Sequence, residues 1–386
     1  MKRKTLFIVA ILSIIITLVG CTTPQSSTSS TTMSSSNVKA TSTLPPVSVP
    51  AAVSGIETTL ESIYNRVNPS VVLIDVVLPG SPLNPGGEAL GSGFVWDSKG
   101  DIITNNHVID GVSSITVTFY DGTTIDASLV GADADSDLAV IKVNPNDLQL
   151  KPITLADSTA VQVGQLAIAI GNPWGYENTM TVGFVSAIGR FLPANQNPTG
   201  LIYTIPVIQI DTPINPGNSG GVLLDDTGAV IGVTQSNISS SGSSSGVGFA
   251  IPSVIVKQVV PDLITTGHYG HPYLGLTLLS FDTNMANAMN LPSGQRGALV
   301  EAVTSGGPAD KAGIKASNTN ITDNGQQVGV GGDVITAYNG QTVKSSDNLV
   351  TFLADSGLVG QTVTLTILRN GKQIQIQVTL GLRPSS

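Results

Sequence analysis

The chain of 386 residues is short of the residues on which much protein chemistry depends. It has one cysteine, Cys21, so an intrachain disulfide and a cysteine-based zinc site are both excluded. It has three histidines, His107, His268 and His271, and any reaction that needs an imidazole must use one of them. Charged residues make up 11%, against about 25% in an average soluble protein, so Ser, Thr, Asn and Gln must cover much of the surface. The charge present is acidic, −9 net, which argues against a nucleic-acid partner, whose phosphates need neutralising by Lys and Arg. What the chain does have is 41% hydrophobic residues, enough at this length for two or three cored domains.

Long apolar runs are also lacking. The longest, Leu6 to Val19 within "MKRKTLFIVAILSIIITLVGC", falls short of the roughly 20 residues that span a bilayer but suits the core of a signal peptide. It ends in Leu18-Val19-Gly20-Cys21, which resembles the lipobox of prokaryotic lipoproteins. That resemblance implies a signal peptide over 1–20, export, and lipidation of Cys21 as the new first residue, anchoring the chain to the outer face of a membrane. An uncleaved anchor is the alternative. Residues 21–52, rich in Ser and Thr with scattered Pro, have no periodicity and read as a flexible tether.

Further along, β-branched runs recur between Gly, Asp, Asn and Pro: "SVVLIDVV" (70–77), "ITVTFYDGTTIDASLVG" (115–131), "DLAVIKV" (137–143), "QLAIAIG" (165–171), "TVGFVSAIGR" (181–190), "IPVIQID" (205–211) and "AVIGVTQS" (229–236). Short strands with turn signals every ten or so residues predict a mainly β fold, and two barrels of about 100 residues fit 53–252. "YDGT" predicts a hairpin turn at Asp121-Gly122.

Three motifs in this region carry chemistry. A serine hydroxyl is a weak nucleophile unless a base takes its proton, and the base is usually a histidine oriented by a carboxylate. "DIITNNHVIDG" supplies His107, "DADSDLAVIKV" supplies Asp137, and "NPGNSGG" (215–221) supplies Ser219. Each alone has an ordinary structural explanation; the three together, in the order His, Asp, Ser, point to nucleophilic catalysis. The glycines around Ser219 then acquire a purpose. A tetrahedral oxyanion is stabilised by backbone N–H donors, each contributing roughly 3 kcal/mol. The N–H groups of Gly217 and Ser219 converge only if the chain turns sharply.

The stretches "GSGFVWDSKGDIITNNHVIDG" (91–111), "DSDLAVIKV" (135–143), "GNPWGYENTMTVGFVSAIGR" (171–190), "IDTPINPGNSGGVLLDDTGAVIGV" (210–233) and "GVGFAIP" (246–252) closely resemble the HtrA (Deg) family of ATP-independent serine endoproteases. The resemblance implies a chymotrypsin-like double β-barrel, a catalytic triad of His107, Asp137 and Ser219, no cofactor or metal, and unfolded or damaged exported proteins as substrates. It implies a homotrimer packed through residues around 55–65, to which Tyr64 could contribute. The residue six before the serine is Pro213, so specificity for Lys or Arg is not expected. Ile214, Asn237 and Ile238 are the implied lining of a pocket for small aliphatic side chains. A chaperone or peptide sensor with weak or latent proteolysis is the competing expectation.

"IPSVIVKQVVPDLITTGH" (251–268) predicts a linker helix interrupted at Pro261, and 269–383 reads as a separate α+β module. "SSDNLVTFLADSG" (345–357) predicts a capped amphipathic helix with Leu349, Phe352 and Leu353 on one face, and "QTVTLTILRNGKQIQIQVTL" (361–380) a hairpin with a type I′ turn at Asn370-Gly371. With "YLGLTLL" (273–279), "GPADKAGI" (307–314) and "GGDVITAYNGQTV" (331–343), these resemble a PDZ domain. That implies capture of a C-terminal peptide as an added strand, its carboxylate held by the loop Tyr273-Leu274-Gly275-Leu276. The inserted stretch 316–330 reads as a polar surface loop, and His268 and His271 as exposed linker histidines.

Overall fold

The computed structural model describes residues 51–80, 86–146, 148–172, 178–191, 205–235, 246–323 and 325–384. The expected signal peptide, Cys21 and nearly all of the tether lie outside them. Among the described residues, no helix is long and apolar enough to cross a membrane.

After helix α1 (Ala51–Val67), six strands close into a first barrel in the order β1-β2-β3-β6-β5-β4: β1 (Val71–Leu78), β2 (Gly87–Val95), β3 (Asp101–Thr104), β4 (Ser114–Thr118), β5 (Thr124–Asp133) and β6 (Leu138–Lys142). A short helix, α2 (Asn106–Ile109), follows β3. Six more close a second barrel in the order β10-β11-β12-β9-β8-β7: β7 (Leu166–Gly171), β8 (Thr179–Arg190), β9 (Val207–Ile210), β10 (Val222–Leu224), β11 (Val230–Gln235) and β12 (Gly248–Pro252). The double barrel expected from the sequence is therefore present, and Asp121-Gly122 lies in the turn joining β4 to β5, with Gly122 in the left-handed region.

The uninterrupted apolar runs have a simple explanation in this arrangement. A strand points alternate side chains to opposite faces. Val72, Ile74 and Val76 of β1 fill the first barrel, while Val71 of the same strand packs with Phe94, Ile103 and Leu138 into a core shared with Ile168, Ile170 and Val222 of the second. In β7, Ala167 and Ala169 face the second barrel's interior, and Ile168 and Ile170 face the shared core. Strands buried on both faces carry no polar alternation.

Helix α3 (Ser253–Thr266) closes on this shared core. It runs unbroken through Pro261, contrary to the interruption expected from the sequence, and ends at Gly267 with φ 81°. A proline inside a helix costs about 3 kcal/mol. Here Ile255, Val256, Val259, Val260 and Leu263 are all buried in the shared core, and burying a side chain of this kind contributes about 1.5–3 kcal/mol, so packing outweighs the lost hydrogen bond.

The C-terminal module begins with β13 (Pro272–Tyr273), β14 (Leu276–Ser280), α4 (Thr283–Ala288), β15 (Ala298–Val303), α5 (Pro308–Lys311), β16 (Thr319–Asp323) and β17 (Gln326–Val330). It continues with β18 (Val334–Tyr338), β19 (Gln341–Thr342), α6 (Ser346–Ser356), β20 (Thr362–Arg369), β21 (Lys372–Thr379) and β22 (Gly381–Leu382). The sheet runs β14-β15-β18-β20-β21, with β19 on β18. Helix α6 is capped by Ser345, whose Oγ accepts from the Asn348 N–H, and Leu349 is fully buried. Asn370 and Gly371 both have positive φ, 50° and 72°, as a type I′ turn between β20 and β21 requires. The stretch 316–330 departs from expectation. It is a hairpin, β16 with β17, whose Val330, Ile321 and Val328 pack against Phe281 and Met285. The alternation in "TNITD" and "QQVGV" had hidden apolar positions inside a polar composition.

Candidate active site

His107 enters from β3 through Asn105, whose extended backbone opens α2. Asp137 sits in the turn between β5 and β6 with φ 54°, a left-handed conformation that a short polar side chain tolerates. The two halves of this corner are laced together. The Asn106 N–H and the Asn105 side-chain amide donate to the Asp137 carbonyl at 3.1 and 2.9 Å. The His107 main-chain N–H donates to Asp137 Oδ1 at 2.9 Å, and His107 Nδ1 lies 2.7 Å from Asp137 Oδ2. A carboxylate at that distance holds the proton on Nδ1 and leaves Nε2 as the acceptor, the tautomer a base needs.

A residue missed from the sequence completes the corner. Gln235, at the end of β11 in the second barrel, donates Nε2–H to Asp137 Oδ2 at 2.7 Å. Asp137 is thus gripped from both barrels. The only sequence signal was a polar side chain ending an apolar strand.

Ser219 lies in the loop between β9 and β10, almost wholly buried. Gly217 and Gly220 on either side of it have φ 93° and 84°. Gly220 is also required by space: a Cβ there would meet Ser92 O at 2.1 Å and Thr104 Oγ1 at 2.4 Å. The residue after Ser219 therefore rests on the strand that delivers His107, and the Ser92 N–H donates to the Ser219 carbonyl at 2.8 Å. The imidazole and its carboxylate are paired, and the loop of Ser219 packs against Ser92 and Thr104, the latter three residues before His107.

Of the expected pocket residues, Ile214 is buried among Ile210, Val185 and Ala250 of the second barrel, and Pro213 accepts a hydrogen bond from Thr181 Oγ1 at 2.9 Å. Asn237 and Ile238, with the Ser/Gly-rich stretch around them, lie outside the described residues. In the C-terminal module, Tyr273, Leu274, Gly275 and Leu276 line an apolar groove with Leu349 and Leu353, between β14 and α6. Gly275 has φ 78°, and its carbonyl accepts from the Thr304 N–H at 2.9 Å. Tyr64, expected at a contact between subunits, donates its hydroxyl to the Asn178 carbonyl of its own chain at 2.6 Å.

His271 is not the exposed linker histidine expected. Its Nε2 lies 3.0 Å from both carboxylate oxygens of Asp133 and 3.8 Å from Asp135, with Tyr269 edge-on to its ring. The Arg383 guanidinium pairs with Asp135. The acids come from the first barrel and the bases from the C-terminal module, 138 residues away in the case of His271, so no local pattern could reveal the cluster. Although Asp133, Asp135 and His271 have ligand atoms within 4.8 Å of one another, Arg383 already occupies Asp135, and the group reads as an ion-pair contact. His268 is exposed, its Nδ1 near the Thr266 carbonyl.

Comparison with known proteins bears on this geometry. Residues 91–233 match the trypsin-like peptidase domain and residues 272–380 the PDZ domain. A probable periplasmic serine endoprotease, DegP-like, of Chlamydia trachomatis serovar D is 40% identical over 295 residues, covering 76% of this chain and 54% of that protein. Protease Do-like 1, chloroplastic, of Arabidopsis thaliana is 41% identical over 294 residues, 76% of this chain and 64% of that one. The periplasmic pH-dependent serine endoprotease DegQ of Escherichia coli (strain K12) is 39% identical over 310 residues, 80% of this chain and 63% of that one. The chain thus spans a little over half to under two thirds of these curated relatives. Among solved structures, the HtrA-type protease AlgW with tripeptide superposes with a TM-score of 0.65 at 32% identity, covering 84% of this chain and 98% of that one. AlgW with decapeptide gives 0.63 at 31%, covering 84% and 99%. A barrel pair carrying the His107–Asp137 contact, followed by a sheet with an apolar groove, agrees with these matches in fold and order, and the chain belongs to the HtrA family.

Proposed function

We propose that the chain is a serine endopeptidase acting on unfolded or damaged exported proteins. Ser219 is the nucleophile, His107 the general base, and Asp137 the group that orients and charge-stabilises the imidazole. The N–H groups of Gly217 and Ser219 receive the oxyanion. The observation that carries this reading is the 2.7 Å contact of His107 Nδ1 with a carboxylate that also binds the same residue's main-chain N–H, on a strand end whose Thr104 lies against Gly220 of the Ser219 loop. In the cycle that these roles imply, Nε2 takes the Ser219 proton as Oγ attacks the scissile carbonyl, then returns it to the leaving amine. Water repeats the sequence on the acyl-enzyme.

Ile214, Asn237 and Ile238 shape a pocket for small aliphatic side chains. The groove flanked by Tyr273–Leu276 takes a C-terminal peptide as an added strand, its apolar floor favouring an apolar last residue. The relatives named periplasmic and the basic, apolar N-terminus support export, with Cys21 lipidated and residues 21–52 tethering the folded part to a membrane. Assembly as a homotrimer belongs to the same proposal.

The test is direct. The purified chain should cleave unfolded casein and be labelled by a fluorophosphonate at Ser219. Cleavage sites mapped by mass spectrometry should follow Val, Ala or Ile. Neither labelling nor cleavage, in protein shown to be folded, would end the proposal.

A further inference from the structure

We infer that Ser92 and Thr234, one from each barrel, are positioning residues that aim the main-chain donors of the Ser219 loop. The inference rests on reading Ser219 as the nucleophile and Gly217 and Ser219 as the oxyanion donors.

A peptide unit is planar and trans, so fixing its carbonyl fixes the direction of its N–H. Three consecutive units pass through the loop. In the first, between Gly217 and Asn218, the carbonyl accepts from Ser92 Oγ at 2.6 Å and the N–H donates to Asn215 O at 3.0 Å. In the second, between Asn218 and Ser219, the carbonyl accepts from Thr234 Oγ1 at 2.6 Å and from the Gly221 N–H at 3.0 Å. This is the unit whose N–H belongs to Ser219, and with its oxygen drawn toward β11 that N–H is turned to the opposite side. In the third, between Ser219 and Gly220, the carbonyl accepts from the Ser92 N–H and the N–H donates to the Thr234 carbonyl at 3.0 Å. Ser92 and Thr234 thus hold all three units between them, the first and second through side-chain hydroxyls.

Both hydroxyls are committed. Ser92 is fully buried; its one proton goes to the Gly217 carbonyl, and its oxygen accepts from the Asn172 N–H at 2.8 Å. Thr234 is 1% exposed. The hydroxyls matter because glycine restrains nothing. At Gly217 the units on either side rotate freely unless something outside grips one of them. Ser92 Oγ supplies that grip on the unit following Gly217, the fixed frame from which the torsions of Gly217 place its N–H. Without it the loop keeps its serine but loses the fixed spacing of its two donors, and preorganised donors are what an oxyanion site depends on.

The experiment compares Ser92→Ala and Thr234→Val in the full chain with Ser92→Thr and Thr234→Ser, which keep the hydroxyls. Four quantities are read: kcat and KM on a small chromogenic peptide, the Ki of a peptide aldehyde that forms a tetrahedral adduct, and the Ki of the corresponding non-covalent product peptide. Expected is a fall in kcat of about 10- to 100-fold in each hydroxyl-less variant, with KM and product-peptide Ki within about twofold and aldehyde affinity weakened in parallel with kcat. Thr234→Ser should retain activity. A kcat unchanged in both hydroxyl-less variants, or lowered with aldehyde affinity intact, overturns the inference. Should Ser92→Ala not fold, the pair Thr234→Val and Thr234→Ser decides alone. Wild-type protein that fluorophosphonate does not label at Ser219 overturns the reading beneath it; labelled wild type with indifferent variants overturns only the positioning role.

Discussion

Two histidine–aspartate pairs grow from aspartates four residues apart, at the end of β5 and in the turn that follows it. His107 meets Asp137 and His271 meets Asp133, at similar distances, 2.7 and 3.0 Å. They differ in everything around the contact. His107 offers Nδ1 to one oxygen of a carboxylate already held by its own main-chain N–H and by Gln235, and its far nitrogen takes no part in the pair. His271 offers Nε2 symmetrically to both oxygens of Asp133 and lies more deeply enclosed, its side chain 14% exposed against 24%, between a barrel and the C-terminal module. An imidazole and a carboxylate make a bond in either place. The first pair leaves a nitrogen for chemistry, whereas the second joins two parts of the chain.

The sharpest way to break the comparison is to remove each imidazole. Ser219→Ala or His107→Ala should lower kcat by about 10⁴-fold or more with the unfolding midpoint little changed, whereas His271→Ala should leave kcat on a short peptide within about threefold. Steady-state kinetics and urea unfolding on the same preparations check both halves. Next, Gln235→Ala should lower kcat by about tenfold through a less firmly held Asp137, corresponding to the 0.5–1.5 kcal/mol of a typical hydrogen bond, and equal rates would make Gln235 a bystander. His271→Ala should instead cost about 1–2 kcal/mol of stability, because Asp133 loses a partner while buried. Hydrogen exchange should quicken on both sides of the contact, in β5 and in β13.

The smallest effect concerns another carboxylate where the module meets the barrels. Burial, with Asp157 adding repulsion, raises the Asp355 carboxyl from 3.8 to about 6. The folded state therefore binds this proton more tightly than the unfolded chain, and stability falls as pH rises from about 4 to about 6. Asp355→Asn mimics the protonated form. It should stabilise by about 1–2 kcal/mol at pH 7 and by nothing below pH 4, and an equal effect at both pH values would refute the sign.

The residues of the candidate site could be picked out because chemistry restricts residue type and the chain marks each with local grammar: a strand end before His107, a turn at Asp137, glycines about Ser219. The barrels were legible from strand length and turn residues. Other features depended on distance. Gln235 is 98 residues from Asp137, and Ser92 is 125 from Gly217; neither has a neighbour in sequence that hints at its partner. Pro261 misled because propensity is local whereas the apolar face that overrules it is tertiary. The hairpin at 316–330 was obscured by polar residues on its outer face.

Helix α3 has a consequence for how such a molecule can be divided. By sequence it joins two modules, yet its buried face belongs to the core between the barrels. A fragment ending at Pro252 would strip that core of its cover and expose an oily seam. Splicing in a different C-terminal module, by evolution or in the laboratory, would succeed only beyond Gly267, which makes the helix heritable property of the barrels and the junction after it the true seam for recombination.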